Sequence, residues 1–489
     1  MSTERRLECR KRRLTRSGRS GPDRRAFLLA SATGFAGLHF GRPGPARAAG
    51  RDGSSPHPQG GRAKSVILFF LCGGASHIDT WDMKPNAPSE YRGPFREVGT
   101  SAGEIRLCEH LPLLAEQSRH LAVIRSVNAS VNTNDHHAGY YYNLTGHEAD
   151  PTFLSQGNDR RPQPDDWPYM GSVVASRRPQ RGTLPNALSL PHMPSPAPYT
   201  RPGQFAAKLG VEFDPLYVFG SREDPLRFEA PSLMLTGDVT KDQLRARKQL
   251  LGRLDQARRD WDHQAQQQLW KRHQQRAFDL LLSSQTTSAF DVAQESDATR
   301  ARYGDTINAT SLLLARRLVE AEVPFVTVFW MGDDSLRKKC RSAGSWDTHG
   351  NNFDCLKEDL LPEFDRAFSA LLGDLHDRGL LDSTLVLVTS EMGRKPKIGD
   401  PRSGGASGAG RDHWTHCQSV LMAGGGVRGG QTYGSSDRLG EYPDQNPVTP
   451  ADIAKTVYWA TGTDDLIATD SQGRPFNLLE QGEPITGIF

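Results

Sequence analysis

Ser65-Val-Ile-Leu-Phe-Phe-Leu71, closed by Gly73-Gly74, is the stretch that decides the fold. An unbroken apolar run this short reads as a strand buried on both faces, and the glycines turn it into a loop. Four further stretches read as strands, at 120–126, 325–330, 384–389 and 418–422, the last closed by Gly424-Gly425-Gly426. Helical patterns stand between them at 306–321 and at 356–378, where Leu and Phe recur every three to four residues ahead of Gly379. Apolar strands alternating with helices predict an α/β fold, a three-layer sandwich around a mostly parallel central sheet. There is no internal repeat. Two segments interrupt the alternation. Residues 158–231 are punctuated by Pro and Gly and predict a loop-rich insertion covering one face. Residues 241–300 open on a charged, Gln-rich amphipathic pattern to about 282 and predict a helical insertion with a solvated polar face.

Residues 1–48 have the order of a twin-arginine signal peptide. A basic region from Arg5 to Arg19 leads to Arg24-Arg25, then to Ala26-Phe27-Leu28-Leu29 and an Ala- and Gly-rich apolar stretch ending near Phe40. Ala46-Arg47-Ala48 supplies the small residues of a cleavage site before Ala49. The expected destination is the periplasm or the exterior, with the twin-arginine translocase as a partner during export. The apolar stretch is too short and Gly-rich to span a bilayer stably, and no later segment has the length to do so. Residues 49–63 predict a flexible linker, and 64–489 form the folded domain.

The signal also carries the chain's basicity. Of the 60 Lys+Arg and 57 Asp+Glu, twelve and three lie in 1–48, leaving 48 and 54 and a net charge of −6. Nucleic acid is therefore not implied as a partner. Five cysteines follow the signal (Cys72, Cys108, Cys340, Cys355 and Cys417), widely spaced and with no C-x-x-C pair. That excludes a zinc ribbon and leaves room for one or two disulfides whose pairing the sequence does not give.

In parallel sheets, ligands gather at the carboxyl ends of strands. Four clusters lie close to strands: Gly73-Gly-Ala-Ser-His-Ile-Asp-Thr-Trp-Asp82, Ser345-Trp-Asp-Thr-His-Gly-Asn-Asn352, Ser390-Glu-Met-Gly-Arg394 and Gly410-Arg-Asp-His-Trp414. Together they offer Asp79, Asp347, His349, Glu391 and His413, a mixed oxygen and nitrogen set suited to a divalent ion (Zn, Mn, Ca or Mg). Arg394, Arg411 and Lys397 are at hand to offset charge on an anionic group. Each cluster alone has a plain alternative: Asp79 can open a loop, Asp347 and His349 can form a capped turn, and Glu391 can pair with Arg394.

These same motifs resemble one bacterial family throughout, the domain-of-unknown-function family numbered fifteen hundred and one. Glu391-Met-Gly-Arg-Lys-Pro-Lys397, Ala423-Gly-Gly-Gly-Val-Arg-Gly-Gly430 and Pro450-Ala-Asp-Ile-Ala-Lys455 add to the match, which covers nearly all of the chain after the signal. That family looks like a branch of the alkaline-phosphatase-like superfamily, which includes sulfatases and phosphatases. The resemblance implies an alkaline-phosphatase-like fold with metal at the strand ends. It implies hydrolysis of phosphate or sulfate esters, small or on a polymer, or else an exported binding or scaffold protein that keeps the fold without turnover.

By the same resemblance, Asp347 and His349 match the ligand pair after a mid-chain strand, and His413 matches the final ligand histidine. Asp79 would be the first carboxylate, although the superfamily places it nearer the strand, where this chain has Gly73. Glu391 stands where many members have Asp-His, with Met392 replacing the histidine. Asn134-Asp-His-His-Ala-Gly-Tyr-Tyr-Tyr-Asn-Leu-Thr-Gly146 resembles the nucleophile-bearing helix, Thr133 being the nearest nucleophile and His136 or His137 ligands or polar contacts. No Cys-x-Pro-x-Arg occurs, so the formylglycine of ordinary sulfatases has no precursor.

Overall fold

Ser65–Phe70 (β1) is buried along its whole length near the middle of an eight-stranded sheet, as a doubly covered strand must be. The computed structural model describes residues 61–130, 135–230, 283, 288–340, 342–399, 410–470 and 473–489. The stretch expected to be a signal peptide, most of the expected linker, Thr133 and the amphipathic pattern at 241–282 lie outside them. The chain divides into two compact units, and the larger, residues 53–468 and 477–489, holds the sheet and the site.

The remaining strands are β2 (Leu121–Val127), β3 (Ala187–Leu190), β4 (Leu216–Tyr217), β5 (Phe325–Phe329), β6 (Thr384–Thr389), β7 (Gln418–Ala423) and β8 (Gln431–Tyr433). They are ordered β8-β2-β7-β6-β1-β5-β3-β4 across the sheet. β1 runs parallel to β6, with Ser65 opposite Thr384 and Phe70 opposite Thr389, and parallel to β5, with Phe70 opposite Phe329. β7 runs against both its neighbours, while the other pairings are parallel.

The helices that matter for the site are α1 (His136–Thr145), α2 (Met170–Arg177), α3 (Ile307–Glu320), α4 (Leu361–Asp377) and α5 (Pro450–Thr461). Phe69 and Phe70 are consecutive, so their side chains leave β1 on opposite faces. Phe69 packs on Phe364 and Phe368 of α4, with ring centroids 5.8 and 6.4 Å away, and Phe70 packs on Tyr140 of α1 at 4.8 Å. α3 joins α4, and α5 joins α1. Helices thus cover both faces, and burying each phenylalanine stabilises the sandwich by roughly 1.5–3 kcal/mol.

All five expected strands are present to within a residue at either end. The segment 158–231 is more regular than its punctuation suggests, because it contains α2, β3 and β4. The two strands extend one edge of the sheet instead of only covering a face. They have four and two residues, too few to set up a period. The pattern at 356–378 splits into a π-helical turn, Leu356–Leu360, and α4. Among the described residues no helix is long and apolar enough to cross a membrane. Cys340 and Cys355 form a disulfide with Cα atoms 5.6 Å apart, while Cys72, Cys108 and Cys417 are buried thiols.

Candidate metal centre

Because β1, β5 and β6 are parallel, their carboxyl ends share one edge of the sheet, and the loops leaving them meet there. The loop after β1 turns at Gly73, whose φ of +121° disfavours any side chain, and a Cβ there would overlap the backbone of Trp346 and Asp347. Gly73 N–H donates to Glu391 Oε1 at 2.8 Å, tying the β1 loop to the β6 loop. Trp346 N–H donates to the Cys72 carbonyl at 2.9 Å, so the loop carrying Asp347 and His349 docks on the end of β1. The Cys340–Cys355 disulfide closes the base of that loop. His413 arrives on a two-residue ladder opposite Arg394. Gly410 lies so close to the His349 carbonyl that a Cβ would overlap it.

Asp347 is the hub. Its Oδ1 lies 2.9 Å from His349 Nε2 and 3.1 Å from His413 Nε2, and those two nitrogens are 2.9 Å apart. Its Oδ2 is 3.4 Å from His136 Nε2, while His136 Nδ1 is 2.9 Å from Glu391 Oε1. Two overlapping triads result, His136–Asp347–His413 and His349–Asp412–His413, each offering ligand atoms within 4.8 Å of one another. Ligand atoms bound about 2.0–2.1 Å from one zinc ion stand about 3.3 Å apart, so the donors present fit a divalent ion.

The charges are set by these contacts. Burial opposes ionisation of Asp347, but Arg394 and hydrogen bonds from His136, His349 and His413 hold its carboxyl well below the usual range. Burial likewise works against the Glu391 carboxylate, and the His136 hydrogen bond, with His136 and Arg201 as charges, outweighs it and lowers the pKa. For His136, burial favours the neutral ring, yet hydrogen bonds to Asp347 and Glu391 raise its pKa above the ordinary value. His413 goes the other way: burial, then Arg394 and His136, outweigh Asp347 and lower it.

Several side chains expected at the centre are engaged elsewhere. Asp79 is fully buried and receives Arg411 through Nε at 2.6 Å and Nη2 at 2.8 Å, Ser76 Oγ at 2.6 Å and Asn352 Nδ2 at 3.1 Å. Both carboxylate oxygens are occupied, so in this arrangement Asp79 is a structural anchor and Arg411 its counter-ion. Arg394 is also fully buried. It donates to the Gly74 carbonyl at 2.9 Å and to the Gly73 carbonyl and Asp347 Oδ1, which makes it the support of Asp347 and leaves it no path to a substrate. His137 turns away, with Nδ1 2.8 Å from the Arg160 carbonyl, and its neighbour His136 faces the cluster instead. Glu391 grips His136 through Nδ1, the way a carboxylate orients a metal-binding imidazole. Met392 is fully buried. Asp412 was legible only as the neighbour of His413, and its carboxylate lies 3.6 Å from His349 Nδ1.

Fold and cluster together define an α/β protein with a histidine- and carboxylate-lined centre at the ends of its parallel strands. Over residues 63–489 the chain matches the model of the protein family of unknown function DUF1501, and it belongs to that family. No curated protein is matched by the sequence. Among solved structures it is similar to a phosphonate monoester hydrolase from Silicibacter pomeroyi at 13% identity, covering 81% of this chain and 73% of that one with a TM-score of 0.38. It is also similar to an alkaline phosphatase from the Antarctic bacterium TAB5 at 12% identity, covering 82% and 98% with a TM-score of 0.35. The PsFucS1 sulfatase from Pseudoalteromonas sp. is similar at 11% identity, covering 82% and 68% with a TM-score of 0.34. At these identities and scores the likeness bears on neither substrate nor mechanism.

Proposed function

We propose that this protein is an exported metal-dependent hydrolase of phosphate or sulfate esters. One observation carries the proposal: His136, Asp347, His349, Glu391 and His413, from four sequence-distant segments, converge at the strand ends with two imidazole nitrogens and a carboxylate oxygen about 3 Å from one another. Imidazole-rich donors favour zinc over calcium, magnesium or manganese, which prefer oxygen ligands. Asp347, His349 and His413 would hold the ion, with His136 beside them. A bound divalent ion supplies a polarised ester oxygen and a more acidic water or hydroxyl.

The chain's own residues do the rest. Glu391 fixes the His136 ring, and Arg394 fixes Asp347. Cys72, pushed up to about 12 by burial and by Glu391, is not an activated thiol. Ser390 Oγ is committed to the Leu71 carbonyl at 2.7 Å. Thr133 stands three residues before His136 in the chain and remains the nucleophile of this proposal. The Cys340–Cys355 disulfide supports an oxidising compartment and hence export.

The test is hydrolysis of p-nitrophenyl phosphate, p-nitrophenyl sulfate and the phosphate diester by metal-loaded protein. Turnover of at least one, lost in His349→Ala with folding retained, is expected; no turnover by metal-loaded protein would contradict it. A second function, an exported binding or scaffold protein, is favoured by Met392, a fully buried thioether where the resemblance puts a ligand histidine. Metal retained with no turnover on any ester is its signature.

A further inference from the structure

A cavity of about 170 Å³ opens beside the Asp347 cluster, and Cys72, His136, Tyr140, His192, Arg201 and Asp347 are among its lining residues. Two of these, His192 and Arg201, come from the segment after β3, which none of the sequence motifs marks. Resting on the hydrolase proposal above, we infer that this cavity is a recognition pocket for one tetrahedral oxyanion group, held by Arg201 and His192.

Arg201 is four-fifths buried and its guanidinium lies 4.3 Å over the Tyr140 ring. Its Nε donates to Ser195 Oγ at 3.0 Å, and its Nη1 is 3.6 Å from Glu391 Oε1, beyond hydrogen-bond range. Of five guanidinium donors, one is thus matched at hydrogen-bond distance among the described residues. A buried cation with open donors is matched by an anion with several acceptor oxygens. Arg394 and Arg411 are spent on Asp347 and Asp79, and Arg201 is the arginine among the described residues that lines the cavity.

His192 adds a second, independent sign. Its Nδ1 is sealed from solvent without a hydrogen-bond partner among the described residues. A polar atom left so is costly unless a ligand meets it. Burial, with Arg201 and Arg222, pushes its pKa down to about 4, so the ring is neutral and offers an N–H without competing for charge. Ser195, which receives Arg201 Nε, has φ +49°, a left-handed conformation uncommon outside glycine. Strain of this sort gathers at ligand-binding positions.

Size narrows the ligand. The cavity is well below the roughly 300 Å³ at which pockets hold drug-sized molecules. It suits a single phosphate or sulfate group, with the remainder of the ester outside.

Calorimetric titration of the full chain with inorganic phosphate and, separately, sulfate tests this, with metal content measured on the same samples. Wild type should bind at least one anion saturably, Arg201→Gln should bind it about tenfold more weakly, and His192→Phe about threefold more weakly, both with metal content unchanged. Acetate should bind about tenfold more weakly than the preferred tetrahedral anion. Preference between the two anions names the ester class. Should Arg201→Gln also lose metal through its neighbour Glu391, His192→Phe decides, since among the described residues no carboxylate pairs with that ring. If wild type takes up no metal, the hydrolase proposal falls, and the same comparison on metal-free protein still decides the pocket. Anion binding absent from wild type in both states, or unaltered by both substitutions, overturns the inference.

Discussion

Two aspartates stand near the same strand ends with an arginine against each, and they do opposite things. Asp79 is sealed: four donors fill its oxygens, and both it and Arg411 are wholly buried. Asp347 is a quarter exposed, and three imidazoles share its oxygens with Arg394. A carboxylate with both oxygens held by a fixed guanidinium, a hydroxyl and an amide holds the fold together. One surrounded by exchangeable imidazole donors can change partners for an ion. The motif around each residue does not distinguish them; the side chains that arrive from other segments do.

Breaking the sealed pair should have the largest effect on folding. Arg411→Ala leaves Asp79 as an uncompensated buried charge and should cost about 3–5 kcal/mol in denaturant unfolding. A loss under about 1 kcal/mol would place Asp79 among the exchangeable carboxylates. Next comes the disulfide, which closes the base of the loop holding Asp347 and His349. Replacing Cys340 and Cys355 together with serine should cost about 3 kcal/mol for a loop of this length and weaken metal retention by loosening the loop. Unfolding and metal analysis on the same preparation check both. His349→Ala is the counterpart in the exchangeable cluster. The ring is partly exposed, so stability should change by less than about 1 kcal/mol while metal is lost.

The smallest effect sharpens the comparison from outside. Asp365 on α4 accepts the backbone N–H groups of Leu113 and Leu114 at 2.9 and 2.7 Å, and burial, partly offset by those bonds, pushes its pKa up to about 6. Its folded pKa lies above the unfolded value of 3.8, so its contribution is full below that value and is lost as pH rises through about 6. Unfolding midpoints at pH 5 and 7.5 should fall with pH by less in Asp365→Asn than in wild type. An equal fall in both would remove Asp365 from the account.

The same contrast explains what the sequence makes legible. β1, β5, β6 and β7 are buried along their length and mostly apolar because both faces of the sheet are covered, and they show before any contact is known. β8 is the half-buried triplet Gln-Thr-Tyr at the sheet edge and carries no such signature. At the centre, Glu391 stands just after one of those strands, Asp347 and His349 stand in the loop beyond another, and His413 lies on a short ladder before a third, so all could be chosen by residue type. His136 and His137 differ by one position on a helix, so only one of them can face the cluster. Asp135, which caps α1 by accepting Ala138 N–H, starts the helix that presents His136. Asp79 and Arg411 look like site residues and turn out to be each other's partners. Arg201 and His192 belong to no motif, and only the cavity brings them into view.

Metal content of the purified chain, after equilibration with zinc or manganese and removal of loose ion, tests the central claim most directly. About one equivalent or more should stay with wild type and with Asp365→Asn, and less than about a tenth with His349→Ala, whose unfolding should stay within about 1 kcal/mol of metal-free wild type. Wild-type protein holding less than about a tenth of an equivalent of any divalent ion would contradict it.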